Sequence, residues 1–292
     1  MLKIYANAKI NIGLNIVNKR EDGYHNIHSL FASVSLSDTV LIEKNSRFVL
    51  TSSDPMLLTD SSNLAAKAAA ALSEVSGREL SAKIHLEKRI PAGAGLGGGS
   101  ADCAAVLSGL NRLFSLGFSN DELKSIGEKI GADVPFLIKG GAAVCSGIGE
   151  IINPVSSEIF KDYEAVICTS DIRISTAEAY KHAGRYDKYE INDYDSFISK
   201  MSSDDQTELP GSVNNDFEKY VFELYPNLMT AKIMLLEAGA VHAGMSGTGS
   251  GIYGIFRKGT VPSGFSLQPN FICRTAEFSS ESLHFEEDSS EI

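Results

Sequence analysis

Between Pro91 and Ala101 the chain reads Pro91-Ala92-Gly93-Ala94-Gly95-Leu96-Gly97-Gly98-Gly99-Ser100-Ala101. Five glycines within seven residues strip side chains from the backbone, so peptide N–H groups can approach an anion closely. A run with strand alternation precedes the stretch: Ile84, Leu86 and Ile90 against His85, Glu87 and Arg89. A run with helical spacing follows it, carried by Cys103, Leu107, Leu110 and Phe114. A helix starting here adds unpaired N–H donors and the positive end of its dipole. A plain strand-to-helix turn needs one or two glycines, not five. The stretch therefore reads as a polyphosphate cradle.

The rest of the chain supplies a frame for it. Ile4, Ala6, Ala8, Ile10, Ile12, Leu14 and Ile16 alternate with Lys3, Tyr5, Asn7, Lys9, Asn11 and Asn15. This is a long half-buried strand with Lys9 and Asn11 on one face. Asp22-Gly23 marks a turn, and strands are expected over 29–35 and 39–43. Asn63 precedes an alanine-rich helix as its N-cap. Ser119-Asn120-Asp121-Glu122 forms a capping box. A strand restarts over 163–169, a helix covers 226–238, and a second glycine-rich loop spans 244–251. Residues 187–211 read as a loop or weak helix, and the tail from Phe285 as frayed.

At 292 residues the length suggests about two domains, with a boundary near residue 155. A net charge of −11 argues against a general nucleic-acid or anionic-membrane surface. No apolar run is long enough for a membrane span, and the first residues lack a signal-peptide core, so the cytoplasm is expected. The cysteines, at 103, 145, 168 and 273, show no paired spacing and are expected to be reduced.

Other phosphate loops are excluded by spacing. A dinucleotide fingerprint needs an acidic residue ~20 positions on, ending the next strand; here Asp121 and Glu122 occupy a helix cap. A Walker loop needs a lysine after its glycines, and Gly99-Ser100-Ala101 has none. Three motifs stand in order: Ala8-Lys9-Ile10-Asn11, the first glycine loop, and Gly244 to Gly251. Together they resemble the GHMP kinases, which include galactokinase, homoserine kinase and mevalonate kinase. Arg20-Glu21-Asp22-Gly23-Tyr24-His25, Gly131-Ala132-Asp133-Val134-Pro135 and Met245-Ser246-Gly247-Thr248-Gly249 narrow the resemblance to one branch. Its acceptor is a cytidine-diphosphate-linked methylerythritol of the non-mevalonate isoprenoid route.

That resemblance implies an α+β fold of two domains. A ribosomal-protein-like, ATP-binding domain covers 1–155, a ferredoxin-like domain covers 156–292, and the site lies in the cleft. It implies transfer of the ATP γ-phosphoryl to the acceptor's 2-hydroxyl, with Asp133 as base and Lys9 as its electrostatic partner. For Asp133 the alternative is N-cap of the next helix. ATP falls to Pro91, Ala92, Gly93, Ala94, Gly95, Leu96, Gly97, Gly98, Gly99, Ser100 and Ala101. Ser100 is expected to be helix cap and phosphate contact. Asn63 either reaches the adenosine or only caps its helix. Asn11 falls to the erythritol hydroxyls, and Tyr24 and His25 to the cytosine. Tyr180 is either the opposing ring or a packed aromatic. Ser246, Gly247 and Thr248 approach the phosphates or the acceptor diphosphate. Mg²⁺ is expected with the nucleotide, with no protein ligand singled out. Partners are a small-molecule substrate and at most a second copy of the chain, monomer or homodimer. Two alternatives stay open: another small-alcohol kinase of homoserine or mevalonate type, and a non-catalytic nucleotide-binding regulator.

Overall fold

The computed structural model describes residues 1–183, 191–203, 209, 212–267 and 270–287. The first strand, β1 (Leu2–Lys19), runs antiparallel to β2 (His25–Lys44). The apolar set of β1 is buried as its period-two pattern predicts, but from Ala6 to Asn15 the polar face is buried too. One face packs on α2 (Gly98–Leu113); the other lies under the second half of the chain. The two strands expected over 29–35 and 39–43 are one, because β2 continues through the bend and changes partners. Its first half pairs with β5 (Ala142–Ser146) and its second half with β4 (Ala82–Glu87). β3 (Val49–Ser52) extends the sheet beyond β4, and β6 (Ile151–Val155) beyond β5.

Four helices cover this sheet region. α1 (Leu64–Ser76) is capped by Asn63, whose side-chain oxygen accepts from the Ala65 N–H at 2.9 Å. α1 packs on α2, and α2 on β1 and β2. α3 (Asn120–Glu128) opens on the expected capping box, and α4 (Val134–Lys139) follows Asp133.

The second sheet has the order β10-β7-β9-β8, all antiparallel: β7 (Tyr163–Thr169), β8 (His242–Met245), β9 (Ile252–Arg257) and β10 (Ile272–Glu277). Between β7 and β8 lie α5 (Thr176–Ala183), α6 (Tyr194–Met201), α7 (Phe217–Leu224) and α8 (Pro226–Glu237). α8 packs on β8 and β9, and α7 against α5 and α8. The stretch expected as loop or weak helix thus contains α6, and its remaining positions lie partly outside the described residues.

Two expectations are corrected here. The tail is not frayed at Phe285: β11 (Leu283–Glu287) adds to the edge of β1, so the last strand belongs to the first sheet. A sequence reader sees charge there, but the strand alternates and finds a free edge. Cys168 and Cys273 are not reduced thiols; they form a disulfide. They sit directly opposite in the β7–β10 register with Cα atoms 4.2 Å apart. A separation of 105 residues hides that register from the sequence. Cys103 and Cys145 are buried free thiols, both pushed up by burial. Among the described residues no helix is long and apolar enough to cross a membrane.

Candidate active site

A cavity of about 1040 Å³ opens between the two halves. Its walls include Lys9, Asn11, Tyr24, His25, Gly95, Gly97, Ser100 and Asp133 from the first, and Thr176, Tyr180, Gly247 and Thr248 from the second. Its size and mixture of apolar walls with a few polar groups suit a small organic ligand.

The outer edge of β1 places most of these groups. Its N–H groups alternate between β2 and the opposite edge. The Lys9 N–H donates to the Leu96 carbonyl of the first glycine loop at 3.0 Å. The Asn11 N–H donates to Ser246 Oγ of the second loop at 3.1 Å. At Gly13 the chain takes φ +71°, the β1–β2 register shifts between Ile12 and Asn15, and the edge phase moves by one. Beyond the bulge the Leu14 N–H donates to the Asn214 carbonyl at 2.9 Å, and the Ile16 N–H to the Asp216 carboxylate at 2.7 Å.

Lys9 is only 4% exposed and Asn11 1%. The Lys9 ammonium donates to Asn11 Oδ1 at 2.5 Å, lies 3.4 Å from an Asp133 carboxylate oxygen, and sits 5.0 Å from the centre of the Phe31 ring. Asp133 occupies the N-cap position of α4, yet its side chain makes no capping hydrogen bond. The carboxylate turns instead toward Lys9 and the cavity. A buried lysine with a carboxylate and an amide oxygen is a stable arrangement, because each charge has a partner.

The two glycine loops touch through their backbones. The Gly251 N–H donates to the Ala94 carbonyl at 3.1 Å, and Ser246 Oγ donates to the Gly95 carbonyl at 2.8 Å. A Cβ on Gly95 would lie 2.0 Å from the Ser246 carbonyl oxygen, and φ there is +72°. α2 starts with Gly97 as N-cap and without a side-chain cap, so Ser100 stands in its first turn rather than capping it. Gly97 and Ser100 of that turn lie on the cavity wall. Behind the loop, Lys88 bridges Asp38 and Asp102, all nearly buried. Asp38 also accepts from the N–H groups of Arg89 and Ile90 and so fixes the loop's entry. Burial raises Asp102 to about 7, against the pull of Lys88; its other oxygen is buried with no hydrogen-bond partner.

At the opposite end, His25 and Tyr180 stack on each other, ring centres 4.8 Å apart and 21° from parallel. The edge of Tyr180 meets Phe217 at 4.9 Å. They do not form two walls with a slot between them, as an opposing ring would require. Tyr24 is 62% exposed at the rim. Burial lowers His25, helped by Lys19, so the ring is neutral near pH 7; burial pushes Tyr180 up to about 12, with Asp133 adding to the shift.

Several expected residues lie off the wall. Asn63 commits its oxygen to Ala65 and its amide to the Leu58 carbonyl at 2.6 Å, which is the capping role. Ala94, Leu96 and Ala101 are buried in the core, Ala92, Gly93 and Gly99 are exposed, and Pro91 and Gly98 are half-buried away from the wall. Ser246 is fully buried with its hydroxyl bound at both ends; it welds the loops and does not face the cavity. The sequence reading missed Phe31, Thr176 and Phe217 on the wall, and Asp38 and Asp102 behind the loop. Thr176 Oγ1 lies 3.3 Å from Thr248 Oγ1. Nothing in the local pattern marks these, since their partners are far away in sequence.

Two touching glycine loops and the Lys9–Asp133 pair meet at one cavity between the two halves, the arrangement expected of a phosphotransferase acting on a small hydroxylated substrate. Comparison with known proteins agrees. Residues 63–141 match the GHMP kinases N terminal domain, and residues 190–263 match the GHMP kinases C terminal domain. The chain is 37% identical over 252 residues to the 4-diphosphocytidyl-2-C-methyl-D-erythritol kinase of Chlorobium chlorochromatii, covering 86% of this chain and 87% of that one. It is 39% identical over 256 residues to the enzyme of the same name from Clostridium beijerinckii, covering 87% and 91%. A crystal structure of 4-(cytidine 5'-diphospho)-2C-methyl-D-erythritol kinase superposes with a TM-score of 0.78 at 30% identity, covering 94% of this chain and 99% of that one. The chain belongs to the GHMP kinase family, in the branch of the 4-diphosphocytidyl-2-C-methyl-D-erythritol kinases.

Proposed function

We propose that the protein phosphorylates the 2-hydroxyl of 4-diphosphocytidyl-2-C-methyl-D-erythritol with ATP, using Asp133 as base and Lys9 as its electrostatic partner. The observation that carries this reading is the 3.4 Å Lys9–Asp133 pair on the wall shared by the glycine loop and the aromatic cluster. Phosphoryl transfer has a loose transition state, so positioning and charge stabilisation do most of the work. The first turn of α2 holds the phosphate end of ATP. Asp133 accepts the acceptor's hydroxyl proton as its oxygen bonds to the γ-phosphorus and ADP departs. The Lys9 ammonium stabilises the charge that gathers on that oxygen. His25 offers a neutral ring face and edge to the cytosine, with Tyr24 at the rim. Because His25 and Tyr180 already stack, the base either parts them or stacks on one outer face.

Mg²⁺ supplies charge neutralisation of the phosphates when bound. The residues fit a cation held chiefly by nucleotide and water: Ser100 and Asp133 are oxygen donors on the wall, and among the described residues no three His, Cys, Asp or Glu cluster as a cage. Phosphorus NMR of the protein with Mg-ATP and the cytidylated acceptor tests the reading. A new phosphomonoester with the cytidyl diphosphate intact, and ADP accumulating, is expected. Silence from folded, ATP-binding protein discards the acceptor.

A further inference from the structure

The second glycine loop is clamped from beneath by residues that neither glycine loop contains. Asn215 is 5% exposed, and every polar position on its side chain is used. Its amide donates to the Met245 carbonyl at 2.8 Å and the Gly247 carbonyl at 2.7 Å, and its oxygen accepts from the Phe217 N–H at 3.0 Å. Glu218 accepts from the Met245 N–H at 2.9 Å and pairs with Lys232 at 2.6 Å. The same segment is tied to β1 by Asp216, which accepts from the Ile16 N–H and the Asn15 amide.

The consequence lies in the peptide between Gly247 and Thr248. It is trans, so its C=O and N–H point in opposite directions. Asn215 draws the carbonyl inward, which turns the Thr248 N–H outward, and both residues line the cavity. Among the described residues no protein group accepts that N–H. We infer that Asn215 is a positioning residue which sets this peptide so that the Thr248 N–H meets a phosphate oxygen of a bound ligand. The inference rests on the kinase reading above. That oxygen belongs either to the transferring phosphoryl group or to the acceptor's diphosphate.

Asn215→Asp isolates the arm. It keeps an oxygen for the Phe217 N–H but sets a second oxygen against two carbonyls, which favours the flipped peptide. The preorganised donor is then lost, an effect that costs about 10²–10³ in rate at comparable sites. A fall of that size in kcat with both KM values within threefold assigns the donor to the transferring group. A rise of similar size in acceptor KM assigns it to the acceptor diphosphate. Asn192→Asp is the control. Asn192 is also a buried amide, donating to the Asn214 carbonyl and the Tyr194 hydroxyl, but it does not touch the loop. Its variant is expected to lose thermal stability and keep kcat within threefold. An equal loss in both variants, or a folded Asn215→Asp with wild-type constants, overturns the inference.

A second readout does not need the variant to fold. In ¹⁵N NMR of the wild type, the Thr248 amide is expected to shift on titration with a non-hydrolysable ATP analogue or with the acceptor, alongside amides of the first glycine loop. A Thr248 amide that stays silent at saturation with both, in protein that turns over, overturns the positioning role. Absence of turnover in the wild type overturns the kinase reading instead.

Discussion

At the scale of single residues, the site depends on two charges held by different means. Asp133 comes from a helix start that leaves its carboxylate uncapped, and Lys9 from a strand face buried under two loops. Asp133→Asn keeps the shape and removes the proton acceptor. It is expected to lower kcat by about 10²–10⁴, the usual worth of a positioned base, while the dissociation constant of an ATP analogue in a binding titration changes less than threefold. Lys9→Met removes the ammonium that Asp133 and Asn11 both face. Steady-state kinetics should show kcat falling at least tenfold; an unchanged kcat removes its role. The shared face of Lys9 and Asn11 was legible from a period of two, and the pairing with Asp133 only from the family resemblance. Ser246 was not legible in its structural role. A serine beside glycines looks the same whether it meets a ligand or a carbonyl of another loop, and which one it meets is set by a residue 151 positions away.

At the scale of elements, the outer edge of β1 works as an index for the site. Going up the strand it receives β11, the first glycine loop, the second loop through Ser246, and the 214–216 segment. Each is hydrogen-bonded to that edge, so the loops' positions follow from the strand's regular spacing. The glycines then separate by task, which the sequence alone did not show. Gly95 is needed because another backbone approaches it, whereas a Cβ on Gly99 would meet only a Leu64 methyl at an ordinary 3.5 Å. Gly95→Ala is therefore expected to push the two loops apart and lower the thermal midpoint by several degrees. Gly99→Ala should leave the midpoint unchanged or raise it slightly, since alanine favours a helix over glycine by up to about 1 kcal/mol. Calorimetry of the two variants checks this. Equal losses would show that the close loop approach at Gly95 is unimportant. The strand β11 and the unbroken β2 were missed for one reason: both depend on partners distant in sequence, and local polarity at 37–38 and 286–291 suggests an end.

At the scale of the whole molecule, two buried titratable groups, one in each half, act on stability in opposite senses. His242, fully buried on β8 against Phe197 and Tyr253, is driven by burial from 6.5 to about 3. Asp102 in α2 is driven by burial from 3.8 to about 7. Between about pH 4 and 6.5 the unfolded chain protonates His242 and the folded one does not, so this group makes stability rise with pH. In the same window the unfolded chain ionises Asp102 and the folded one retains the proton, so this group makes stability fall with pH. Each contributes a slope of about 1.4 kcal/mol per pH unit at its limit, with opposite sign. The wild type should therefore show a shallower dependence than either single variant. In Asp102→Asn the contribution of Asp102 is gone, and stability measured by urea unfolding should drop more on acidification from pH 6.5 to 4.5 than it does in the wild type. In His242→Gln the contribution of His242 is gone, and stability should rise over the same acidification relative to the wild type. Parallel curves for all three proteins would show that neither group keeps its displaced proton affinity in the folded state.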